Sequence, residues 1–368
     1  MKIAIIGSRG YPYVYSGYET FVKELSERLV QKNIQVTVYC HKNLFDSRPR
    51  YVNGIELVYI PTIETKSLSQ LIHSFFSMLH ACFTKTDIIL VVNAANGPFG
   101  LIARLSRKPT LINVDGLEWL RPKWKGLGAK YFYASAKLAT KLYDTIITDA
   151  EEMRKVYLRE FKKDSTVIAY GANIRYSDDP RLIDQFGLQP REYYLVVGRL
   201  IPDNNADLII NGFIRSRSAK KLVVVGDVPY SDKYADNLKA KANSSIIFLG
   251  YIKNSEILAE LYHNCHAYIH GHEFGGTNPT MLKAMACGCA ILALDTVFNK
   301  EMLSNGEFGL FYEKNVDSLA DLIQHFDQNS HLGDKLRSSS RNGITEKYNW
   351  DHIAEAYIAL MNKLVTES

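Results

Sequence analysis

Apolar runs rich in β-branched residues recur along the chain, separated by stretches with helical spacing. In the first half, strands are predicted at KIAIIG, IQVTVYC, IELVYI, DIILVVN, PTLINV, DTIITD and TVIAY. The segment between the first two has apolar residues three and four positions apart, which predicts a helix with one buried face, formed by Phe21, Val22, Leu25 and Leu29. The chain therefore opens with a βαβ unit, and its first half is predicted to be an α/β domain.

A second series of predicted strands begins at residue 193 and comprises YYLVVG, KLVVVGD, SIIFLG, AYIHG and AILAL, again with helical patterns between them. The stretch Ala172–Pro190 is polar and rich in turn residues, which is typical of a linker. We therefore predict two α/β domains, at residues 1–174 and 175–349. The end of the chain, residues 350–368, reads as an amphipathic helix whose packing partner the pattern leaves open.

Composition indicates a folded soluble protein. Hydrophobic residues make up 46% of the 368 and charged residues 23%, with a mean hydropathy of −0.14. The most apolar helical segment, SLSQLIHSFFSMLHACF, is interrupted by polar residues, so no membrane span is predicted. Five scattered cysteines make no disulfide framework, and the N-terminus shows no export signal. We therefore expect a cytoplasmic protein.

Charge is divided unevenly between the two halves. Residues 1–172 contain 24 Lys and Arg against 15 Asp and Glu, and the remainder contains 20 against 24. A basic half attracts anionic partners such as nucleotide phosphates or lipid headgroups. No nucleic-acid-binding motif occurs, so nucleic acid is not expected as a partner. The segment LEWLRPKWKGLGAKYFYASAKLATKLY mixes cations with aromatic residues, which predicts peripheral contact with an anionic membrane, unless it is an ordinary solvated helix face.

Candidate site residues lie in the loops that follow predicted strands, where open parallel sheets bind ligands. The loop GSRGYPYVYSGYET has three glycines between a strand and a helix, so it either presents N–H groups to an anion or forms an ordinary turn. NVDGLEW places Asp115 and Glu118 within reach of ligand hydroxyl groups, although the loop taken alone favours a solvated carboxylate at each position.

Two loops of the second half carry phosphate-site features. In GRLIPDNN, Arg199 is placed to meet a pyrophosphate, or to form a structural salt bridge. In HGHEFGGTNPTMLKAMACG, Thr277 or Asn278 is a candidate helix cap and Glu273 a candidate sugar contact. His270, His272 and Glu273 could act as metal ligands, but the loop supplies no fourth partner, so no metal site is predicted. Cys287 and Cys289 are predicted to be core residues.

Together these motifs resemble a known family. GSRGYPYVYSGYETFVKEL, NVDGLEW, GRLIPDNN and GGTNPTMLKAMACG, in this order, resemble the GT-B glycosyltransferases of family 4 (group 1), and within it the bacterial rhamnosyltransferase-like branch. The resemblance implies two Rossmann-like domains facing each other across a cleft, with the donor in the C-terminal domain and the acceptor in the N-terminal one. It also implies that residues 350–368 cross back to the first domain, and that transfer is retaining and needs neither metal nor cofactor besides the nucleotide-diphosphate sugar.

On this hypothesis each predicted site residue receives a role. The catalytic candidates are Asp115, Arg199 and Glu273. The donor-binding candidates are Gly17, Arg199, Asn204, Asn205, Gly275, Gly276, Thr277, Asn278 and Lys283. The acceptor-binding candidates are Arg9, Tyr18, Glu19 and Glu118. The reaction implied is transfer of a hexose or deoxyhexose, including rhamnose from dTDP-rhamnose, to a lipid-linked glycan in the synthesis of capsule, O-antigen or another bacterial surface polysaccharide.

Four positions depart from the family pattern. Asn204 stands where a lysine is usual, Lys283 where a glutamate usually precedes AMACG, and Gly275 where an earlier glutamate is usual. In the first domain, Asp115 stands where many relatives carry a histidine. These departures keep a non-catalytic nucleotide-sugar-binding scaffold open as an alternative, and a nucleotide-sugar epimerase shares the fold. An NAD dehydrogenase is disfavoured because the first loop lacks GxGxxG.

Overall fold

The chain folds into two compact units in the computed structural model, which describes residues 1–12, 17–63, 69–122, 124, 126–228 and 232–367. The first unit comprises Met1–Tyr170 together with the last helix of the chain, and the second is Gly171–Asn349. The division after Tyr170 lies close to the boundary expected at residue 174.

Strands and helices alternate through the first unit, as the sequence pattern predicts. Its elements are β1 (Lys2–Ile6), α1 (Gly17–Gln31), β2 (Gln35–His41), β3 (Tyr51–Val52), β4 (Ile55–Ile60), α2 (Ser69–Cys82), β5 (Ile88–Val92), α3 (Gly100–Leu105), β6 (Thr110–Asn113), α4 (Leu127–Leu142), β7 (Thr145–Thr148), α5 (Glu151–Phe161) and β8 (Thr166–Val167). Among the described residues, its strands form one sheet in the order β3-β4-β2-β1-β5-β6-β7-β8. Every neighbouring pair is parallel except β3 with β4.

Central strands of this sheet are buried on both faces. All five residues of β5 are buried, and β1 has a single partly exposed residue, Lys2. A strand covered by helices on both faces reads as a continuous apolar run rather than an alternating one. This is why continuous apolar runs such as IILVV, and not alternating apolar and polar residues, predicted these strands.

The second unit repeats the architecture with different side chains. Its elements are β9 (Tyr193–Val197), α6 (Ala206–Ser216), β10 (Lys221–Val225), α7 (Lys233–Lys239), β11 (Ile246–Gly250), α8 (Ser255–Asn264), β12 (Ala267–His270), α9 (Pro279–Ala286), β13 (Ile291–Leu294), α10 (Val297–Met302), β14 (Leu310–Tyr312), α11 (Val316–Gln328) and α12 (Ser330–Glu346). Among the described residues, its strands are all parallel, in the order β11-β10-β9-β12-β13-β14.

A glycine sets the packing of two helices in this unit. Gly212 of α6 faces Leu319 of α11, and a Cβ at Gly212 would lie 2.7 Å from Leu319 Cδ2. The missing side chain lets the helices approach closely, and both then cover a core that includes Leu222, Ile269 and Phe326.

The last helix, α13 (Trp350–Glu367), belongs to the first unit. The ring of Tyr357 lies 5.4 Å from that of Phe21 in α1, and Trp350 packs against the same ring at 6.3 Å. Two ion pairs, Arg28 with Asp351 and Lys32 with Glu355, flank this apolar contact. The packing that the amphipathic pattern left open is therefore decided by the aromatic face of α1.

Within the described ranges, no helix has both the length and the apolar character needed to cross a membrane.

Candidate functional site

Each sheet has one point at which the order of its strands reverses. In the first unit β1 lies beside β5, and in the second β9 lies beside β12. At such a point the loops after the two strands lead away in opposite directions and leave a crevice, where open α/β sheets bind ligands. The predicted site residues lie in the loops after β1, β6, β9 and β12, or in the helices α1 and α9 that begin after two of these loops.

The loop after β1 is held by the predicted acceptor residues themselves. Gly7 has φ +106°, and a Cβ there would overlap the carbonyl oxygen of Val92 at the end of β5. The Glu19 carboxylate, 3% exposed, accepts a hydrogen bond of 3.0 Å from the Arg9 N–H. Gly17 is the first residue of α1. The middle of the loop, residues 13–16, lies outside the described residues.

Asp115 follows β6 and is half-buried. The Tyr18 hydroxyl donates to its backbone oxygen at 3.2 Å, and the Tyr170 hydroxyl lies 3.2 Å from its Oδ2. Tyr170 also lies 3.3 Å from Asn113 Oδ1, and the Asn113 amide donates to the Tyr357 hydroxyl at 2.9 Å. Asp115 is thus connected to α1, to the last residue before the second unit and to α13.

Burial raises the pKa of Asp115 to about 6. Arg121 opposes this rise through its positive charge, Glu118 adds to it through its negative charge, and the hydrogen bond from Tyr170 lowers it. Burial also holds the pKa values of Tyr18 and Tyr170 well above their usual range, so both hydroxyls stay protonated and act as donors. A carboxyl group that titrates near neutral pH can take up a proton there.

Glu118 is engaged by the protein itself. Arg121 forms a short ion pair with its Oε1, and the Trp124 indole N–H donates to its Oε2 at 2.6 Å. In this arrangement Glu118 orders the loop between β6 and α4. Acceptor contacts of Arg9, Tyr18, Glu19 and Glu118 stay predictions.

In the second unit, Arg199 lies just after β9 and its side chain is exposed. Its backbone oxygen accepts a 2.8 Å hydrogen bond from the Asn204 amide. Across the described ranges, the structure records no hydrogen bond or ion pair from the Arg199 guanidinium to another side chain. The salt-bridge alternative raised by the sequence therefore finds no support in this part of the chain.

The loops after β9 and β12 interlock. The Asn205 amide donates to the Gly271 oxygen at 2.9 Å and lies 3.3 Å from Glu273 Oε2. The Glu273 N–H donates to the Asp203 oxygen at 3.2 Å. The approach is close because Gly271 has no side chain, and a Cβ there would overlap the Asn204 oxygen. This contact joins the arginine loop to the glycine loop.

Glu273 has a partner that the sequence did not indicate. Lys314, in the loop between β14 and α11, lies 2.6 Å from its Oε2. Only the parallel pairing of β13 with β14 brings that loop to the same edge of the sheet. Glu273 keeps its predicted sugar-contact role as a hypothesis, now as half of an ion pair.

The glycine loop ends at the N-terminus of α9. Gly275 has φ +114°, a backbone conformation that favours glycine, and Gly276 and Thr277 are buried. The Asn278 side chain caps α9 by accepting from the Thr280 N–H at 3.0 Å. Lys283 is exposed one turn further along α9. This geometry is typical of a backbone site for an anion at a helix N-terminus.

The two histidines of this loop have partners other than a metal. His270 Nδ1 lies 3.0 Å from the Tyr268 hydroxyl, and His272 Nδ1 lies 2.8 Å from Asn204 Oδ1. Among the residues that the structure describes, no three His, Cys, Asp or Glu side chains form a group able to hold a metal ion. Cys287 and Cys289 are buried.

The structure brings the predicted residues together as two sets, one in each unit. Arg9, Gly17, Tyr18, Glu19, Asp115 and Glu118 follow β1 or β6 in the first unit, and Arg199, Asn204, Asn205, Glu273, Gly275, Gly276, Thr277, Asn278 and Lys283 follow β9 or β12 in the second. Sequence reasoning missed Tyr170, Arg121, Asn113, Tyr357 and Lys314 as neighbours of these sets. The sequence contained one indication of Tyr170, because this residue is the last of the predicted strand TVIAY and therefore lies at the carboxyl end where ligands are expected.

Two family models match the chain. Residues 178–344 match the family described as "Glycosyl transferases group 1", and residues 1–173 match a domain of unknown function, DUF1972. The match to the glycosyl transferases therefore lies within the second unit, and the match to DUF1972 covers most of the first.

Curated relatives agree with the first of these matches. The chain is 25% identical to an uncharacterized glycosyltransferase of Methanocaldococcus jannaschii, over 99% of each chain. It is 27% identical, over 41% of its own length and 40% of the relative's, to the N-acetylgalactosamine-N,N'-diacetylbacillosaminyl-diphospho-undecaprenol 4-alpha-N-acetylgalactosaminyltransferase of Campylobacter jejuni.

Solved structures show the fold. The sucrose-phosphate synthase of Thermosynechococcus elongatus superposes with a TM-score of 0.84 at 18% identity, over all of both chains. The Anabaena protein HepE in complex with UDP and glucose superposes with a TM-score of 0.80 at 15% identity, over 99% of this chain and 100% of that one. The expected fold class, α/β with the GT-B architecture of two Rossmann-like units, is confirmed.

Proposed function

Starting from a group 1 glycosyltransferase of GT-B fold, which the family model and the curated relatives support, we propose that this protein transfers a sugar from a nucleotide diphosphate to a lipid-linked glycan. One observation carries the proposal. The loop that carries the exposed Arg199 contacts the glycine loop at the N-terminus of α9, through the hydrogen bond from Asn205 to Gly271. Both loops lie at the strand-order reversal of the second unit. That combination suits a diphosphate.

The chemistry of the donor follows from these groups. As the bond between sugar and diphosphate breaks, negative charge grows on the leaving phosphate and positive charge on the sugar ring. Arg199, the backbone N–H groups of Gly275 to Thr277 and the N-terminal dipole of α9 stabilise the leaving charge. Protein groups of this kind can do this without a bound cation, and we propose metal-independent transfer with retention at the anomeric carbon.

The chemistry of the acceptor follows from Asp115. Its carboxyl group, with a pKa of about 6, is largely ionised at neutral pH and accepts a hydrogen bond or a proton from an acceptor hydroxyl. The hydroxyls of Tyr18 and Tyr170 keep the residue in one position. We therefore assign Asp115 to the acceptor and Arg199 to the donor.

The finer assignment is a hexose or deoxyhexose, with rhamnose from dTDP-rhamnose as the first candidate, added during synthesis of capsule, O-antigen or a similar surface polysaccharide. The name of the Campylobacter relative supports a lipid diphosphate acceptor, since that enzyme acts on a diphospho-undecaprenol substrate. UDP bound to HepE supports a nucleotide diphosphate donor. An acceptor of this kind sits at a bilayer, so we propose a peripheral location on the inner face of the plasma membrane.

The deciding experiment measures the melting temperature of the purified protein with UDP, dTDP, GDP and their sugars, because a ligand of the folded state raises it. We expect one nucleotide family to stabilise the protein clearly above the others. The sugar of that family is then tested for transfer to a synthetic lipid diphosphate glycan. Stabilisation without transfer to any such acceptor would favour the scaffold alternative, and turnover of the sugar without acceptor would favour an epimerase. No stabilisation by any nucleotide would contradict the proposed donor site.

A further inference from the structure

Helix α2 buries several polar side chains and exposes several large apolar ones, although Met78 and Ala81 are buried as in an ordinary surface helix. Its buried residues include His73, Ser74 and Ser77, whereas Phe75 and Phe76 are 39% and 49% exposed. An amphipathic helix of a soluble protein normally buries its apolar stripe and solvates its polar one. Of the polar residues that interrupt this segment in the sequence, His73 and Ser74 are buried against the protein, whereas His80 is exposed.

The apolar surface continues beyond α2. Phe83, just after the helix, is 85% exposed, and Leu101 and Leu105 of α3 are 52% and 78% exposed. Helix α3 contacts α2 on one side and α4 on the other. A groove of about 390 Å³ lies beside α2, lined by residues of α2, of the segment before α3 and of α4, namely Leu71, Ile72, Phe75, Phe76, Pro98, Phe99 and Tyr131. We call the exposed surface of α2, α3, α4 and Phe83 the apolar face.

Every charged residue of these three helices is a cation. Helices α2, α3 and α4 contain no Asp or Glu, and α3 and α4 present Arg104, Lys130, Lys137 and Lys141 as exposed side chains. Between Ser69 and Leu142 the chain has ten Lys and Arg residues, and its three carboxylates, Asp87, Asp115 and Glu118, lie in loops. Exposed apolar groups next to cations complement one surface in particular, an anionic bilayer.

We propose that the apolar face docks on an anionic lipid bilayer, with Phe83 and Leu105 entering the headgroup region and the α4 lysines contacting anionic headgroups. This rests on the proposed function in one respect, that a lipid-linked acceptor gives the bilayer contact its purpose. A 14-residue α2 is about 21 Å long at 1.5 Å per residue, short of the roughly 30 Å hydrocarbon core, so the helix lies along the interface. The surface differs from the one indicated by the sequence, because its apolar part comes from α2 and α3.

The test is co-sedimentation of the full chain with vesicles, either of phosphatidylcholine alone or of equimolar phosphatidylcholine and phosphatidylglycerol. We expect binding to the anionic vesicles that weakens at high salt. The double variant Phe83→Ser/Leu105→Ser should bind them at least about tenfold more weakly, because two large apolar side chains no longer enter the bilayer. Lys137→Gln/Lys141→Gln should weaken binding by about tenfold and reduce its salt dependence, with Arg104 and Lys130 supplying what remains.

A matched control is offered by the second unit. Ile214→Ser/Val297→Ser removes two side chains that are 52% and 56% exposed and lie outside the apolar face, so its vesicle binding should equal that of the unchanged protein. Far-ultraviolet circular dichroism and nucleotide-induced melting shifts establish that each variant is folded. Equal binding by the control and by Phe83→Ser/Leu105→Ser would overturn the proposal.

Other outcomes separate the docking surface from the proposed function. If the protein is stabilised by a nucleotide and transfers sugar to a water-soluble, short-chain acceptor but does not bind anionic vesicles, the proposed function stands and the docking surface is wrong. If it binds vesicles through the apolar face but no nucleotide stabilises it, the docking surface stands and the proposed function fails. If light scattering shows a dimer that Phe83→Ser/Leu105→Ser converts to a monomer, the face is an interface between copies of the chain and the bilayer proposal is overturned.

Discussion

The two units share a strand-order reversal, but the residues proposed for the chemistry carry opposite charges, Asp115 after β6 in the first unit and Arg199 after β9 in the second. Residues 1–172 carry a net charge of +9, from 24 cations and 15 carboxylates, yet two candidate residues of the first unit, Asp115 and Glu118, are carboxylates. The remainder carries −4, from 20 cations and 24 carboxylates, yet Arg199 lies exposed beside the crevice of the second unit. The net charge of a unit therefore does not predict the charge of its site.

The two sites also differ in how many of their candidate side chains are bound by other residues of the protein. In the first unit, tyrosine hydroxyls hold Asp115, and Glu118 is bound by Arg121 and Trp124. In the second, Arg199 extends toward solvent and the glycine loop presents backbone rather than side chains. This contrast agrees with the proposed roles. The surroundings of Asp115 set the pKa of an acceptor-site carboxylate, and the exposed Arg199 is available to bind an anionic donor.

The largest effect should come from removing the cation of the second unit. Arg199→Ala is expected to lower kcat/KM and donor affinity together, by about 2–4 kcal/mol, because the guanidinium opposes the charge that develops on the leaving phosphate. Steady-state kinetics and the nucleotide-induced melting shift measure both. Arg215→Ala, which breaks an exposed ion pair with Asp317, is the matched control and should change neither. Unchanged kinetics in Arg199→Ala would remove this residue from the site.

Asp115→Asn tests the other unit. We expect a loss of about 1.5–3 kcal/mol in kcat/KM for the acceptor, typical of a hydrogen bond to a charged group, with nucleotide affinity unchanged. Asp164→Asn, at an exposed partner of Arg154, is the control. If nucleotide affinity fell as much as turnover did, the assignment of Asp115 to the acceptor would be wrong.

The raised pKa of Asp115 also makes stability depend on pH. The folded protein keeps this proton to a pH of about 6, whereas the unfolded chain loses it near 4, so over that interval the unfolded state binds fewer protons. The free energy of unfolding should therefore fall as pH rises from about 4 to about 6. Urea unfolding at a series of pH values measures this, and the fall should be smaller in Asp115→Asn.

Gly271→Ala tests whether the interlocked loops matter for the donor. The added Cβ would overlap the Asn204 oxygen, so the arginine loop must move away from the glycine loop. We expect a loss of about 1–3 kcal/mol in stability, with weaker nucleotide binding. Gly250→Ala is the comparison, because its positive φ is strained but no atom lies within 4 Å of the new Cβ. Nucleotide binding equal to that of the unchanged protein would show that the loop contact is only structural.

The smallest effect is expected from Tyr170→Phe. Its hydrogen bond lowers the pKa of Asp115, so its removal should move the acidic limb of the kcat profile to higher pH and cost about 1 kcal/mol in stability. Tyr143→Phe, which loses a hydrogen bond to the Asn96 oxygen elsewhere in the same unit, is the control for stability. A stability loss with an unmoved pH profile would mean that Tyr170 has no positioning role.

The fold could be predicted from the sequence because strands and helices are local patterns. Each apolar run named in the sequence lies on a strand of the sheets, down to the two-residue β8 within TVIAY. The loops with chemistry were also identifiable, since the glycine and proline positions around Arg199 and Asn278 mark where strands end and helices begin. The sequence did not show which charged loop side chains have partners within the protein. Glu118 and Arg199 were both candidate ligand contacts, and only the structure shows that Glu118 is bound by Arg121 and Trp124 while Arg199 is exposed.

By itself, the sequence determined two α/β units with their strands and helices, and it identified the loops that we propose bind ligands. Only the tertiary structure decided that Tyr170 and Tyr357 lie near Asp115, that Lys314 pairs with Glu273 and that α2 turns its phenylalanines outward. The physical reason is the separation along the chain of the residues that interact. Helical and strand patterns repeat over a few residues, whereas the contacts that set a pKa, pair a carboxylate or orient a helix join residues far apart in the chain, whose proximity depends on strand order and packing.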